Sequence, residues 1–342
     1  MNAVGTPAIT AIVPARNEEQ AIETSVRSLA AQPEIAEIRV VNDGSSDRTA
    51  EILARLAAEI SQLRVIEAGA LPSGWVGKNH AAWLGAQDAT TDWLLFTDAD
   101  VAHIPGSARR ALRTAAETGA ALLSYSPHQI LENWWERALI PFIFVRLAVH
   151  FSYDAVKDSQ KPIAAANGQY LLVRRMAYQT LGGHHAVSGE VLEDLALATL
   201  AKVAGYQLYF AAGPEIARTR MYRTFADMWQ GWTKNIYVLT GGSTLGLAAE
   251  LIRILPWELA LFFPSFYGLT FLQQDLWMYG AALCLGRVVE YGKRLLRHQF
   301  PLRYIIWWGP GLVLYVAALV ASASHYASGS VAWKGRTYPV RP

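Results

Sequence analysis

Cysteine is almost absent from this chain: Cys284 is the single thiol in 342 residues. One thiol excludes an internal disulfide and a cysteine-built zinc site, and it suits a reducing compartment. Charge is sparse as well, with 17% charged residues and a formal net charge of +2. So small an excess points away from a nucleic-acid partner, whose binding draws on a concentrated basic face. The N-terminus, MNAVGTPAITAIVPARNEE, has no basic segment ahead of an apolar run and no small-residue cleavage site. A secretory signal is therefore not expected, and the chain is expected to begin in the cytosol. No fixed-period repeat or low-complexity tract points to a solenoid or a disordered linker.

What the chain does hold is apolar bulk, 52% of residues, and twelve Trp, a composition that directs attention to membrane contact. Its length has room for one large domain with an appendage, or for two ordinary domains. The first half alternates short apolar runs with amphipathic segments, the pattern of βα units that build a mostly parallel sheet in an α/β fold. ITAIVPA and IRVVND read as strands; between them Ala21, Ile22, Val26 and Leu29 share one helical face. DRTAEILARLAAEI reads as a second helix with its N-cap in GSSD, LRVIEA as the next strand, and a further helix begins near Lys78 before the buried strand WLLF. Ligands of open α/β sheets sit beyond the carboxyl ends of such strands, which puts Arg16, Asp43, Asp98 and Asp100 along one edge.

The second half changes character. Residues 131–151, LENWWERALIPFIFVRLAVHF, mix aromatic bulk with Arg137 and Arg146 and read either as an interfacial helix pair or as an ordinary helix packed on the sheet. From Leu245 the chain is mostly apolar in three runs, LGLAAELIRILPWELALFFPSFYGLTFL, LWMYGAALCLG and YIIWWGPGLVLYVAALVAS. The first carries Arg253 and Glu258, the second is short, and the third has the roughly twenty residues a bilayer crossing needs. Arg287, Lys293, Arg294, Arg297 and Arg303 then read as a cytoplasmic loop before that crossing. With a cytoplasmic catalytic domain, residues 245–290 would cross twice or not at all.

Four loops carry candidate chemistry. Asp98 and Asp100, at i and i+2 after an apolar strand, can offer oxygens to one hard divalent cation, Mg²⁺ or Mn²⁺, or can simply belong to a turn. VVNDGSSDRT brings Asp43 and a glycine to the mouth of a helix, whose free N–H groups hold polar ligand edges; a capped turn is the plainer alternative. PARNEE adds Arg16 and Glu18 at the same edge. GWVGKN places Lys78 at a helix start, where its charge can meet a phosphate or only solvent. Later, Glu193 and Asp194 open an amphipathic helix, where they complement its N-terminus or supply a base for a hydroxyl nucleophile.

VPARNEE, VVNDGSSDRT, GWVGKN, FTDADV and EDLALA, in that order, resemble family 2 glycosyltransferases of the GT-A fold, over about residues 8–235. Within that family the chain is most similar to membrane-associated enzymes that glycosylate lipids, the hopanoid-associated and carotenoid-acid (diaponeurosporenoate-type) glycosyltransferases, with ceramide glucosyltransferase more distant. MYRTFADMWQGWTKN and the terminal WKGRTYPV strengthen the closer match. The resemblance implies a GT-A domain, Rossmann-like with a mostly parallel sheet, over residues 1–240, and a membrane-associated helical region over 241–342.

Carried over by position, the resemblance implies that Ala15, Arg16 and Glu18 border the nucleotide and that Asp43 contacts its uracil or ribose. Asp98 would lie near the ribose and metal, Asp100 would ligate the metal, Lys78 would approach the diphosphate, and Asp194 would be the acceptor-side base with Glu193 beside it. The family's frequent DDGS here reads NDGS, with Asn42 before Asp43. Gln230, Trp232 and Lys234 fall where many relatives carry Gln-x-x-Arg-Trp, but QGWTKN lacks the Arg-Trp pair in that register. That departure argues against a processive polysaccharide synthase; for Trp232 a core position is the alternative. His184 and His185 are given no role.

The expectation is thus an inverting hexosyltransferase on the cytoplasmic side of the cell (inner) membrane, moving sugar from a UDP-sugar donor, UDP-glucose first, to an isoprenoid lipid acceptor. A polyprenyl-phosphate or polymer-forming enzyme of the family, or a noncatalytic nucleotide-sugar-binding subunit, would share much of the motif set. If the acceptor is a carboxylate it arrives ionised, and Asp194 would orient it more than deprotonate it.

Overall fold

Burial along the central strands follows a two-residue beat. In β1 (Ile9–Ala15), Ile9, Ala11, Val13 and Ala15 enter one apolar cluster and Ile12 enters another. Trp93 and Leu95 of β4 (Trp93–Phe96) join the first, Leu94 and Phe96 the second, and Leu172 alternates with Leu171 and Val173 in β7 (Leu171–Arg174) in the same way. Side chains alternate across a sheet, so strands covered on both faces read as continuous apolar runs. That is why WLLF carries no polar residue.

The protein was described from a computed structural model covering residues 8–254 and 274–340. The chain forms two units, Met1–Ile130 with Phe151–Met221, and Leu131–His150 with Tyr222–Pro342.

Among the described residues, the first unit is built on an eight-stranded sheet of order β3-β2-β1-β4-β7-β6-β8-β5. Its other strands are β2 (Ile35–Asn42), β3 (Leu63–Glu67), β5 (Val101–His103), β6 (Leu122–Gln129) and β8 (Leu208–Thr219). β1, β2, β3 and β4 run parallel, β6 and β8 run parallel, and β7 and β5 pair antiparallel with their neighbours. The register sets Ile12 against Phe96 and Ala15 against Asn42. The loops after β1, β2 and β4 therefore leave the sheet on one edge.

The helices follow the apolar spacing. α1 (Ile22–Ala30) buries Ile22, Val26 and Leu29 on the sheet, as their spacing requires, and Ser25 joins them. α2 (Thr49–Glu59) starts one residue past GSSD-Arg48; Asp47 Oδ1 still accepts the Thr49 N–H, so the acid serves the helix mouth from just outside it. α3 (Gly77–Ala86) starts a residue before Lys78, and α9 (Glu193–Val203) starts on the Glu193–Asp194 pair. The remaining short helices of this unit are α4 (Ser107–Thr118), α6 (Tyr153–Lys157), α7 (Arg175–Thr180) and α8 (Gly183–Ala186).

The second unit is helical. α5 (Trp134–His150) is one helix continuing through Pro141, and of the two readings left open for this stretch a helix pair is not the one formed. Its entry is closed by Glu136, whose carboxylate accepts the backbone N–H groups of Glu132 and Asn133. α10 (Phe225–Leu239) begins at a Thr224 cap, and residues 244–254 are helical (α11). The part of the first apolar run beyond residue 254, and with it most of the question of extra crossings, lies outside the described residues. α12 (Gln274–Arg297) absorbs Arg287, Lys293, Arg294 and Arg297, which the sequence placed in a loop; Arg303 lies in the 3₁₀ turn Leu302–Trp307. α13 (Trp308–Ala327) extends that turn, and Leu302–Ala327 is the stretch, among the described residues, long and apolar enough to cross a membrane, its most apolar 18-residue window having mean hydropathy 1.8.

Inside this unit Glu250 is fully buried and accepts from Arg146 at 2.9 Å and from the Tyr315 hydroxyl at 2.9 Å, with His150 Nε2 at 3.2 Å. A Cβ on Gly311 of α13 would run into the Ala138 carbonyl of α5, so the two helices meet backbone to backbone. The tail WKGRTYPV closes as a hairpin, β9 (Ser330–Trp333) against β10 (Arg336–Pro339), with positive φ at both Lys334 and Gly335 in the two-residue turn.

Candidate active site

The loops after β1 and β2 are laced together. Asp43 N–H donates to the Ala15 carbonyl at 2.8 Å, extending the ladder one residue past the strands. Arg16 Nη1 returns to the Asp43 carbonyl at 2.5 Å and the Gly44 carbonyl at 3.3 Å. Asn17 and Ser46, and Glu18 and Thr49, pair across the same seam, with the Glu18 N–H 2.8 Å from Thr49 Oγ1. Gly44 stands at φ +65°, a left-handed turn that favours glycine in NDGS. Ala15, Arg16, Glu18 and Asp43 are thus brought to one edge, with Ala15 and Asp43 buried and Arg16 and Glu18 less so.

Asn42 has a specific partner. Its amide nitrogen donates to both carboxylate oxygens of Glu67, at 3.0 and 2.9 Å, while its Oδ1 accepts the Ser45 N–H at 3.2 Å. An aspartate at 42 would set two carboxylates face to face, so Asn is the residue this β2–β3 edge accepts.

A second cluster forms where β4, α3 and α9 converge. Lys78 Nζ lies 2.7 Å from Asp98 Oδ1 and 2.7 Å from Glu193 Oε1. Asp194 accepts the Gly168 N–H at 2.7 Å on one oxygen and the Leu195 N–H at 2.8 Å on the other. Gly168 permits this approach because a Cβ there would meet Lys78 Nζ at 3.0 Å and Glu193 Oε1 at 3.2 Å. The loop ahead of α9 is held by Asn79, which is fully buried and whose amide nitrogen donates to the carbonyls of Val187, Ser188 and Glu190 at 2.8, 3.1 and 2.9 Å.

The charges in this cluster set one another. Desolvation works against the Lys78 ammonium, yet Asp98, Glu193 and Asp194 together hold its pKa well above the ordinary lysine value. Asp194 is pushed up to about 6 by burial and by the neighbouring Glu193 charge, against the opposing pull of Lys78 and of its two backbone donors. A carboxyl titrating there is ionised at neutral pH and still basic enough to take a proton.

Asp100 occupies the turn between β4 and β5, half-buried, with Val101 N–H reaching back to the Asp98 carbonyl at 3.3 Å. Asp98 and Asp100 present hard carboxylate oxygens two residues apart. Among the described residues no three or more His, Cys, Asp or Glu form a complete cage. Such a donor set suits Mg²⁺ or Mn²⁺, which take the rest of their ligands from phosphate and water, and not a structural zinc.

Gln230, Trp232 and Lys234 belong to α10, in the helical unit. There Gln230 is exposed, Trp232 is buried with its ring edge-on to Phe144, and Lys234 Nζ lies 5.0 Å above the Trp333 ring of the tail hairpin. His184 is buried against Phe96 and bonded through Nδ1 to the Tyr178 hydroxyl at 3.0 Å, whereas His185 is exposed.

Sequence reasoning missed Gly168 and Asn79. Gly168 acts through its backbone N–H, for which no residue type is a signal; Asn79 stood inside the GWVGKN motif, but its partners are more than a hundred residues away.

Comparison with known proteins gives the following. The family model for glycosyl transferase family 2 matches residues 10–182. The 4,4'-diaponeurosporenoate glycosyltransferase of Staphylococcus aureus strain MRSA252 is 29% identical over 250 residues, covering 72% of this chain and 65% of that relative. That of strain USA300 is 25% identical over 346 residues, covering 97% and 88%. Among solved structures, the mannosyltransferase PcManGT of Pyrobaculum calidifontis, in complex with GDP-Man and Mn²⁺, superposes with a TM-score of 0.58 at 16% identity, covering 94% of this chain and 87% of that one. The shared fold is GT-A.

Proposed function

The chain belongs to glycosyl transferase family 2, and from that premise we propose an inverting hexosyl transfer from a nucleotide sugar, UDP-glucose first, to a membrane lipid. The acceptor we favour is an isoprenoid, a carotenoid acid or a hopanoid, because the relatives above are named for a carotenoid acid and the second unit carries an apolar stretch of membrane-crossing length. The enzyme would work at the cell (inner) membrane with its catalytic unit in the cytoplasm.

In this reading Ala15, Arg16, Glu18 and Asp43 border the nucleotide and Asp98 its ribose. Asp100, with Asp98, would hold Mg²⁺ or Mn²⁺. When bound, that ion neutralises charge developing on the departing diphosphate. Lys78 brings a positive charge to the same side while it holds Asp98 and Glu193. Asp194 takes the proton of an attacking hydroxyl, or orients an attacking carboxylate that carries none. Glu193, Gln230, Trp232 and Lys234 are assigned to the acceptor or diphosphate side.

The observation that supports this most is Asp194: a carboxylate fixed through both oxygens by backbone donors, with its proton affinity raised toward neutrality. The test is UDP release by detergent-purified protein across a panel of UDP-sugars, with and without Mn²⁺ and a membrane-lipid extract. Lipid-stimulated, metal-dependent release is expected. Donor binding with no release under any lipid would overturn the reading.

A further inference from the structure

α12 has a packed side and a bare side. Tyr291 and Leu295 are buried, Tyr291 meets Phe142 of α5 with ring centroids 6.1 Å apart, and a Cβ on Gly292 would meet Ile305 at 2.9 Å. Around the helix, bordering Gly292, Met278, Leu285, Val289 and Leu296 are 54, 65, 48 and 53% exposed, and Tyr279 and Leu283 are exposed farther round. At 100° per residue the first four fall within one narrow stripe, with Lys293 and Arg297 along one flank. An exposed apolar stripe of this kind calls for a covering surface.

The charge beside the stripe indicates which surface. Between Arg287 and Arg297 the cations Arg287, Lys293, Arg294 and Arg297 face the single carboxylate Glu290. Glu290 already pairs with Arg287 at 2.9 Å and with Arg294. Arg303 follows in the turn that begins the apolar stretch Leu302–Ala327. A helix with an apolar stripe, a cationic flank and an adjoining membrane-length segment matches a helix lying in the plane of an anionic bilayer. Its cations count against a crossing, since each costs several kcal/mol at the bilayer centre.

We propose that α12 lies flat in the headgroup region of an anionic membrane, with Met278, Leu285, Val289 and Leu296 toward the acyl chains and Lys293 and Arg297 on lipid phosphates. The proposal shares with the lipid-acceptor reading only the need for a bilayer. It is therefore tested without donor or acceptor, so that either can fail alone.

The experiment uses the full chain in vesicles of phosphatidylcholine with phosphatidylglycerol. In a Cys284→Ser background, Leu285→Cys, Val289→Cys and Leu296→Cys each carry a fluorophore, and quenching is read from lipids bearing nitroxides at graded depths. All three positions are expected at one shallow depth. Exchanging Lys293 and Arg297 for Gln should shift the phosphatidylglycerol dependence of quenching by about fivefold per cation, from roughly 1 kcal/mol for each cation near such a surface. Depth that changes steadily from 285 to 296 would mean a crossing and overturn the proposal. So would lipid quenching at none of the three, including the case where energy transfer between labelled chains shows the stripe covered by a second copy. Circular dichroism of each variant checks that the helices persist.

Discussion

Lys78 and Glu193 meet at 2.7 Å, joining the first turn of α3 to the first turn of α9, and the next residue along is Asp194. Lys78→Met leaves Asp98 and Glu193 without this cation. Because Lys78 is 38% exposed, the loss of stability should fall below the roughly 3–5 kcal/mol of a fully buried pair. Transfer should fall much further than melting temperature does. Parallel measurement of turnover and thermal unfolding checks this, and equal turnover in the variant would contradict it.

In the proposed reading, Asp194 sets a pH limit that depends on the acceptor. Its carboxyl is held up at about 6, so the basic form dominates above that pH and is lost below it. For a hydroxyl acceptor, kcat/KM should fall about tenfold per pH unit below that point. For a carboxylate acceptor the fall should begin lower, where the acceptor itself takes a proton. Asp194→Ala should bind donor normally and slow hydroxyl transfer by about 10²–10⁴-fold. pH profiles with both acceptor classes, alongside donor titration, read both effects.

Gly168→Ala puts a methyl group against Lys78 Nζ and Glu193 Oε1. The backbone N–H to Asp194 survives, yet the side chains around it must shift. Turnover should drop while stability falls by no more than about 1–3 kcal/mol, the range for an added methyl group in a packed site. A variant as active as the parent would show that the cluster has room to spare.

Asn79→Leu keeps the volume and removes the donor to three carbonyls. Leaving such buried acceptors unsatisfied costs about 1–3 kcal/mol. In a domain of this size that lowers the melting temperature by roughly 2–4 °C per kcal/mol. kcat should fall with donor affinity kept, because the loop ahead of Asp194 loses its hold and the nucleotide edge does not. An unchanged kcat would mean the loop holds its place without Asn79.

Metal removal is the sharpest test of the turn after β4. Chelation should stop UDP release and Mn²⁺ should restore it. Asp100→Ala should lose at least about a hundredfold in rate, the several kcal/mol that a bound cation contributes to transition-state charge. Full activity in that variant, or indifference to chelation, would remove the metal from the scheme.

What was legible of the candidate site is the placement of the residues whose signals are written locally. Asp98 and Asp100, Asp43 after its strand, and Glu193–Asp194 at a helix start are short motifs, and the strand–helix alternation places them. Gly168 and Asn79 were not legible because they act on backbone groups far away in sequence. α12 was misread for a related reason. Gly280, Gly286 and Gly292 weaken a helix by about 1 kcal/mol each, which favours a loop in any local reading. The helix persists where Gly292 lets the 3₁₀ turn press against it. Asn42 shows the converse, a departure from a family pattern that becomes intelligible once Glu67 stands beside it.

The close meeting of Gly311 and Ala138 changes what the apolar C-terminal stretch is. α13 also supplies Tyr315 to Glu250, Ser322 Oγ to the Tyr237 N–H, and the Tyr326 hydroxyl to the Lys234 carbonyl. A helix so committed to its neighbours is a wall of its unit and not a tether. Trimming the chain before residue 302 to obtain a soluble enzyme would take out that wall, and exchanging it for a generic membrane anchor would leave the wall unbuilt.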